Sequence, residues 1–329
     1  MSKPSARRKQ IKENGPGGAR CWEVIIVGGG MAGLSAAIYL GRAERETLVI
    51  DAGKSMAKWE PDVQNFLGFP EGISGKDLLL RARKQAQRYQ AAFVRDKILS
   101  ARRRNHKFFL RGMNASYVCR RLLLATGILH VPPDIPGVQV CLGRSMFFCK
   151  DCDGYRVKGQ NIAIYGWTNE AVEYALAMLT YSRRVAILTD GRKPRWDGFW
   201  EQQLEVYGIP VHQEEILKVR HERGQIQFLL LEGGAKLPVA KLFTTRGDIY
   251  FNSLAKGLGA EVDSTGEIEV QLDMSTTVEK LYAAGCVTPA NCQMIIAAGQ
   301  GAIAAQAINR DIFEERLKVC ALHPDRVVR

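Results

Sequence analysis

Val24-Ile25-Ile26-Val27-Gly28-Gly29-Gly30-Met31-Ala32-Gly33 is the stretch whose reading decides the fold. A short β-branched run ends in a G-x-G-x-x-G turn, and Leu34 to Leu40 continue at helical spacing with small residues in front. A second apolar run, Thr47-Leu48-Val49-Ile50, ends at Asp51. Strand, glycine turn, helix, strand and acid in that order predict a dinucleotide-binding unit. Gly28 permits the tight turn, Gly30 lets backbone N–H groups approach a pyrophosphate, and Gly33 lets helix and strand pack closely. The helix start offers partial positive charge to phosphates. Asp51, about twenty residues on, is placed to bind adenosine ribose hydroxyls.

Further along, Tyr117–Leu124 is another strand-like run leading to Ala125-Thr126-Gly127, and Pro132, Pro133 and Pro136 mark a crossover. Asn161–Tyr165 opens a second strand–turn–helix unit, with its turn and helix over Gly166–Leu179 and its next strand over Val185–Leu188, ending at Thr189-Asp190. The last third carries strand-like runs at Ile268-Glu269-Val270 and Lys280-Leu281-Tyr282, and a small-residue helix over Gly299–Ile308. The expected fold class is α/β, two Rossmann-like three-layer dinucleotide-binding domains with the second inserted in the first. The first domain is expected over 22–126 and 246–314, the second over 127–245, with a basic tail at 1–21 and a C-terminal tail at 315–329.

A chain of 329 residues suits two domains. No uninterrupted apolar stretch reaches the roughly eighteen residues of a membrane-spanning helix, and no secretory signal is visible, so a cytoplasmic, membrane-free protein is expected. The net charge of +12 is uneven. Lys3, Arg7, Arg8, Lys9 and Lys12 precede Gly15-Pro16-Gly17-Gly18, a composition that reads as a solvated arm in preference to a transit peptide. Between Arg81 and Arg121 the only carboxylate is Asp96. That run reads first as a solvated face and second as a docking surface for an acidic partner. No recognition motif for nucleic acid accompanies it.

Six of the eight cysteines, Cys21, Cys119, Cys141, Cys286, Cys292 and Cys320, are scattered without pairing logic, which argues against a structural disulfide framework. Cys149 and Cys152 form a lone Cys-x-x-Cys with no second pair and no nearby histidine, so redox chemistry is expected over structural zinc, and no metal site is expected. Two cysteines at this spacing can close a disulfide and pass electrons through a mixed disulfide. A cation such as Lys150 beside the first lowers its thiol pKa.

These segments together resemble the low-molecular-weight thioredoxin reductases. The matching stretches are Gly28–Gly33, Asn65-Phe66-Leu67-Gly68-Phe69-Pro70-Glu71-Gly72, Ala125-Thr126-Gly127, Cys149-Lys150-Asp151-Cys152-Asp153-Gly154 and Ala297–Ala305. The resemblance implies an FAD-dependent disulfide oxidoreductase, a homodimer, and a thioredoxin-like protein disulfide as partner. It implies that Cys149 attacks the substrate disulfide, Cys152 faces the flavin, and Asp153 protonates the departing thiolate. It places Gly28, Gly30, Gly33, Asp51, Asn65, Thr126, Gly127, Cys286, Gln293 and Ala302 at the FAD.

The departures from that family concern the second nucleotide site, made of Gly166, Trp167, Thr168 and Asp190. Thr168 stands where a glycine lets a pyrophosphate come close, and Asp190 and Gly191 replace two arginines that hold a 2′-phosphate, leaving Arg195. NADPH is therefore disfavoured; NADH, a second FAD or no ligand would each tolerate Asp190. Cys286 replaces an aspartate that binds the ribityl chain, Cys292 replaces an arginine, and Gln300 an acid. Packing is the favoured reading of Cys286 and Cys292 over a place in the redox path. Among branches lacking the NADPH motifs, the sequence looks most similar to the cyanobacterial diflavin-linked disulfide oxidoreductases, then to the ferredoxin-dependent flavin thioredoxin reductases. The expected function is electron exchange between flavin and a protein disulfide, with a second FAD and an acidic ferredoxin-like donor in place of NADPH. A dithiol oxidase using oxygen, or a non-enzymatic flavin-binding protein, are the alternatives.

Overall fold

The computed structural model describes residues 20–319 and 321–322. Residues 1–19 of the expected basic tail lie outside them, whereas Cys21 already belongs to the first strand. The chain begins β1 (Cys21–Val27), α1 (Met31–Arg42), β2 (Thr47–Ile50), α2 (Gly75–Arg88), β3 (Ala92–Val94), β4 (Ile98–Arg104), β5 (Lys107–Gly112) and β6 (Ser116–Leu124). It continues with β7 (Ile128–His130), β8 (Met146–Phe147), α3 (Lys150–Asp153), β9 (Ile162–Tyr165), α4 (Asn169–Met178), β10 (Val185–Leu188), α5 (Gly198–Tyr207) and β11 (Val211–His212). Then come β12 (Ile216–Glu222), β13 (Gln225–Leu231), β14 (Lys236–Leu237), β15 (Lys241–Thr244), β16 (Asp248–Tyr250), α6 (Ser253–Leu258), β17 (Leu281–Ala283) and α7 (Met294–Lys318).

Two compact units result. The first is built from residues up to Ser55, from Leu79–Gly127 and from Tyr250 onward; the second from Met56–Leu78 and Ile128–Ile249. Residues 56–78 were expected in the first domain, and packing assigns them to the second. The Trp59 ring lies 6.1 Å from that of Phe148. Gly143 backs onto the Trp59 carbonyl so closely that an added Cβ would stand 2.4 Å from the oxygen.

In the first unit β3-β2-β1-β6 form a parallel sheet. The far edge of β6 is shared: Ser116–Cys119 pair antiparallel with β5, and Leu122–Leu124 pair parallel with β17. The β-branched residues of β1 are buried on both faces of the sheet. Ile25 and Val27 join Phe108, Leu110, Leu122 and Leu281 in one core, and Ile26 points the other way, onto the glycine helix α1. Ile268-Glu269-Val270 does not form the expected strand; Ile268 makes only an isolated bridge to Val262. The last helix starts earlier and ends later than expected, so Glu315–Lys318 are helix and not tail. The reason is Arg121: 1% exposed, it pairs with Asp311 and Glu315 of α7, and so leaves the solvated face where the sequence placed it.

The second unit repeats the plan. β11-β10-β9-β15-β8 form a parallel sheet. Its residues alternate as strand geometry requires. Ile162, Ile164 and Phe243 pack on Ala171, Val172 and Met178 of α4, while Ala163, Tyr165 and Leu242 pack on Val219, Ile226 and Leu229 of the β12–β13 hairpin. Helix, sheet and hairpin make three layers. Among the described residues no helix is long and apolar enough to cross a membrane.

Candidate active site

In the first unit the sheet delivers the nucleotide-type residues to one edge. β1, β2, β6 and β17 run parallel, with Val27 level with Ile50 and Leu124, and Leu124 level with Ala283. The segments that follow them, Gly28–Gly30, Asp51, Thr126-Gly127 and Ala284–Cys286, therefore emerge together at the carboxyl ends, where open α/β sheets take ligands. Two glycines are dictated sterically. Gly28 has φ of +118°, with an added Cβ 2.0 Å from the Ala125 carbonyl oxygen, and at Gly33 a Cβ would stand 1.9 Å from the Gly28 oxygen. At Gly30, the N-cap of α1, an added Cβ would stand 3.6 Å from the Ser55 hydroxyl oxygen, and neither a capping side-chain bond nor an acid in the first turn competes for the helix N-terminus. The Asp51 carboxylate sits against Gly29 and accepts the Gly53 N–H at 2.9 Å. This cradle fits a dinucleotide: glycines that bring the backbone turn close, a helix end with no side-chain cap, and a carboxylate at the strand tip.

The remaining residues expected at this site divide. The Thr126 hydroxyl donates to the Phe251 carbonyl at 2.7 Å, fixing the turn before Gly127 (φ +68°). Gln293 caps α7, and Ala302 lies one residue beyond Gly301, whose missing Cβ lets α7 rest on the Ala32 backbone. Gln300 accepts the Gly285 N–H at 2.8 Å and the Thr288 hydroxyl at 3.3 Å, so the amide holds the 285–288 turn. Asn65 falls within residues 56–78 of the second compact unit. Cys286 and Cys292 overturn their reading as unpaired packing residues: they are joined in a disulfide with Cα atoms 4.8 Å apart. The turn through Pro289 folds the chain back on itself, and spacing in sequence did not announce that.

In the second unit Cys149 and Cys152 form a disulfide, Cα–Cα 5.3 Å. Cys149 caps the short helix α3, and its sulfur accepts the Cys152 N–H at 3.1 Å. Tyr174 braces the entry, donating to the Phe148 carbonyl at 2.7 Å and accepting the Lys150 N–H at 3.0 Å. Lys150 itself pairs with Asp151 at 3.4 Å and lies over the Tyr174 ring, so its charge is shared and not reserved for Cys149. Asp153 is 5% exposed and accepts from Arg156 at 2.8 Å. Burial raises its carboxyl to about 6, against the opposing pull of Arg156. Glu60, which the sequence did not single out, is raised to about 7 by burial and by the charge of Asp153. No local signal marks Glu60; only the packing of residues 56–78 brings it to Asp153. Among the described residues no group of three or more His, Cys, Asp or Glu could hold a metal.

The second nucleotide turn is built differently from the first. Gly166 is retained, with Thr245 Oγ1 2.1 Å and Ala171 Cβ 2.8 Å from where its Cβ would be. Thr168 caps α4 with its side chain making no capping bond, and its backbone bridges to Arg195. Asp190 is engaged within the protein: it accepts from the Tyr165 hydroxyl at 2.6 Å, the Ile216 N–H at 2.8 Å and Arg192 at 3.0 Å. Burial alone would raise its pKa, but these donors together hold it below the ordinary carboxylate value. The Arg192 guanidinium also covers the Trp167 ring at 4.4 Å. The sequence reading weighed Asp190 and missed Arg192, the cation that neutralises it.

Comparison with known proteins agrees with this arrangement. Residues 22–305 match the model of the pyridine nucleotide-disulphide oxidoreductases. The chain is 30% identical to the thioredoxin reductase of Treponema pallidum, over 87% of this chain and 95% of that one. It is also 30% identical to the Arabidopsis thaliana NADPH-dependent thioredoxin reductase 3, over 96% of this chain but only 63% of the longer relative. Its fold superposes on a putative thioredoxin reductase TrxB of Bacillus anthracis with a TM-score of 0.82, at 26% identity, covering 90% of this chain and 99% of that one. The chain belongs to the pyridine nucleotide-disulphide oxidoreductase family and is a disulfide oxidoreductase of thioredoxin reductase type.

Proposed function

We propose that the chain uses FAD to exchange electrons with a protein disulfide through Cys149 and Cys152, with a donor other than NADPH. The observation that carries this reading is a closed Cys149–Cys152 disulfide beside the buried Asp153 carboxyl, raised to about 6 by burial, in a chain that also holds a glycine cradle with Asp51 at its rim. FAD held by Gly28–Gly33 and Asp51 would supply two electrons. The Cys149–Cys152 bond accepts them and opens to a dithiol. The Cys149 thiolate then attacks the target disulfide, and the first substrate thiolate leaves with a proton from Asp153. Cys152 attacks Cys149 in turn, restoring the bridge and releasing the second substrate thiol. A thioredoxin-like protein is the disulfide partner this chemistry suits, in a homodimeric enzyme.

The donor reading rests on Thr168, whose Cβ occupies the close approach that a pyrophosphate needs. Asp190 does not by itself repel a 2′-phosphate, because Arg192 neutralises it. In this site we place a second FAD, reduced by an acidic ferredoxin-like donor that the basic run between Arg81 and Arg120 would steer, the buried Arg121 apart. Trp167 supports that occupant with one face only, since Arg192 covers the other. Flavin quantification on the denatured protein tests both statements. About one FAD per chain is required by the first, and about two by the second; FMN or no flavin after reconstitution sinks the whole reading, and a firm value of one removes the second FAD alone.

A further inference from the structure

We propose that Cys286–Cys292 is a second redox-active disulfide, exchanging with thiols independently of Cys149 and Cys152. Its position is the first argument. β17 is in register with β6, and β6 with β1, so the loop after Ala283 leaves the sheet at the same edge as the glycine turn. An added Cβ at Gly285 would lie 3.0 Å from the Ala32 Cβ, on the first turn of α1. The bridge therefore stands at the rim of the nucleotide cradle.

Its accessibility is the second argument. Cys286 and Cys292 are both partly exposed, whereas Cys119 and Cys141 are fully buried. The bridge is also poorly suited to a structural role. It closes a short loop, the case in which a cross-link restrains an unfolded chain least. That loop is already tied by Gln300 to Gly285 and Thr288, and by the Thr288 N–H to the Gly285 carbonyl at 2.9 Å.

The two sulfurs differ in how well they leave. Cys292 directly precedes Gln293, the N-cap of the 25-residue helix α7, whose first turn holds no acid. A thiolate there is stabilised by the helix end, and a lower-pKa thiol is the better leaving group. An incoming thiolate accordingly attacks the Cys286 sulfur. The Cys286–Cys292 bond breaks, a mixed disulfide forms at Cys286, and Cys292 departs as the thiolate. A second donor thiol then displaces Cys286, forming the donor disulfide. Two donor thiols are oxidised by two electrons, and their two protons end on Cys286 and Cys292.

The test uses the full chain in millimolar reduced glutathione with a minor fraction of oxidised glutathione. After acid quenching, free thiols are alkylated and counted by peptide mass spectrometry. About half or more of the chains should carry label at both Cys286 and Cys292, and the Cys292→Ser variant should accumulate a glutathione adduct on Cys286. A bridge that stays closed in the wild-type chain, as structural disulfides do against the glutathione pool, overturns the proposal. The wild-type arm needs no variant to fold. No dinucleotide takes part in it, so its failure and a failure of the FAD reading are told apart.

Discussion

The two units start from the same strand–turn–helix plan and part company at the turn. In the first, three glycines and an uncapped α1 leave the helix end open to a ligand. In the second, Thr168 occupies the turn, Arg192 lies on Trp167, and the Asp190 carboxylate is held by three protein donors. The first unit keeps its polar groups for something that is not protein; the second has turned most of them inward. The difference lies in side chains at the turn, because the backbones beneath pair in the same parallel fashion. A fold of this kind retains its nucleotide architecture after the features that recognise one nucleotide have changed.

The largest effect should come from a bulky residue at the first turn. Gly33→Val forces a side chain into the Gly28 carbonyl, which is backbone and cannot step aside. The protein should lose the proposed FAD and about 3 kcal/mol of stability, read by flavin content and chemical denaturation. Gly166→Val meets the side chains of Thr245 and Ala171 instead, and should cost less and leave the nucleotide of the first unit proposed above in place. Equal losses in the two variants would erase the contrast between the units.

Next in size is Asp153→Asn. It keeps the shape but removes the proton that we propose the departing thiolate takes, and turnover with a protein disulfide should then fall about 100-fold. Flavin content should not move. Unchanged turnover in this variant would detach Asp153 from the chemistry.

What the sequence made legible was whatever local sterics enforce. Gly28 and Gly33 are where they must be because a Cβ at either would collide with backbone, and the β-branched runs flanking them are buried strands. The features that escaped depend on contacts between distant segments. Glu60 acquires its character only because residues 56–78 pack beside Asp153. Arg121 leaves a basic run for the interior because two carboxylates of α7 meet it. The Cys286–Cys292 bridge depends on a turn that folds the chain back, and hydrophobic periodicity carries no trace of that. Ile268-Glu269-Val270 had strand composition but finds no neighbouring strand to pair with beyond the Val262 bridge.

Glu60 gives a prediction about pH. Its folded carboxyl lies near 7 and that of Asp153 near 6, both above their ordinary values of 4.5 and 3.8. These two groups therefore hold more protons in the folded chain than in the unfolded chain between about pH 4 and 7, and the stability they contribute falls as pH rises through that window. Glu60→Gln removes the charge that must form near 7. It should raise stability at pH 8 by about 1–2 kcal/mol, after discounting for partial exposure, and leave one transition near 6. Denaturation midpoints measured from pH 5 to 9 on both proteins check the sign. A stability difference between Glu60→Gln and wild type that does not grow from pH 5 to 8 would contradict the buried-acid description.

The smallest effect returns to the second turn. If Thr168 is what keeps a pyridine nucleotide away, Thr168→Gly restores the close approach while the rest of the turn stays as it is. Flavin reduction by NADPH in rapid mixing should then rise about tenfold, equivalent to about 1.4 kcal/mol, because only one of several contacts is recovered. Arg192 makes the outcome informative. It already sits beside Asp190 and could serve a 2′-phosphate once the pyrophosphate fits, so the gain should be larger with NADPH than with NADH, and Arg192→Ala should reverse that preference. A Thr168→Gly protein that responds to neither nucleotide would mean that the inward-turned Asp190 and the covered Trp167 close the site on their own. The divergence between the two units would then be set at the strand end and not at the turn.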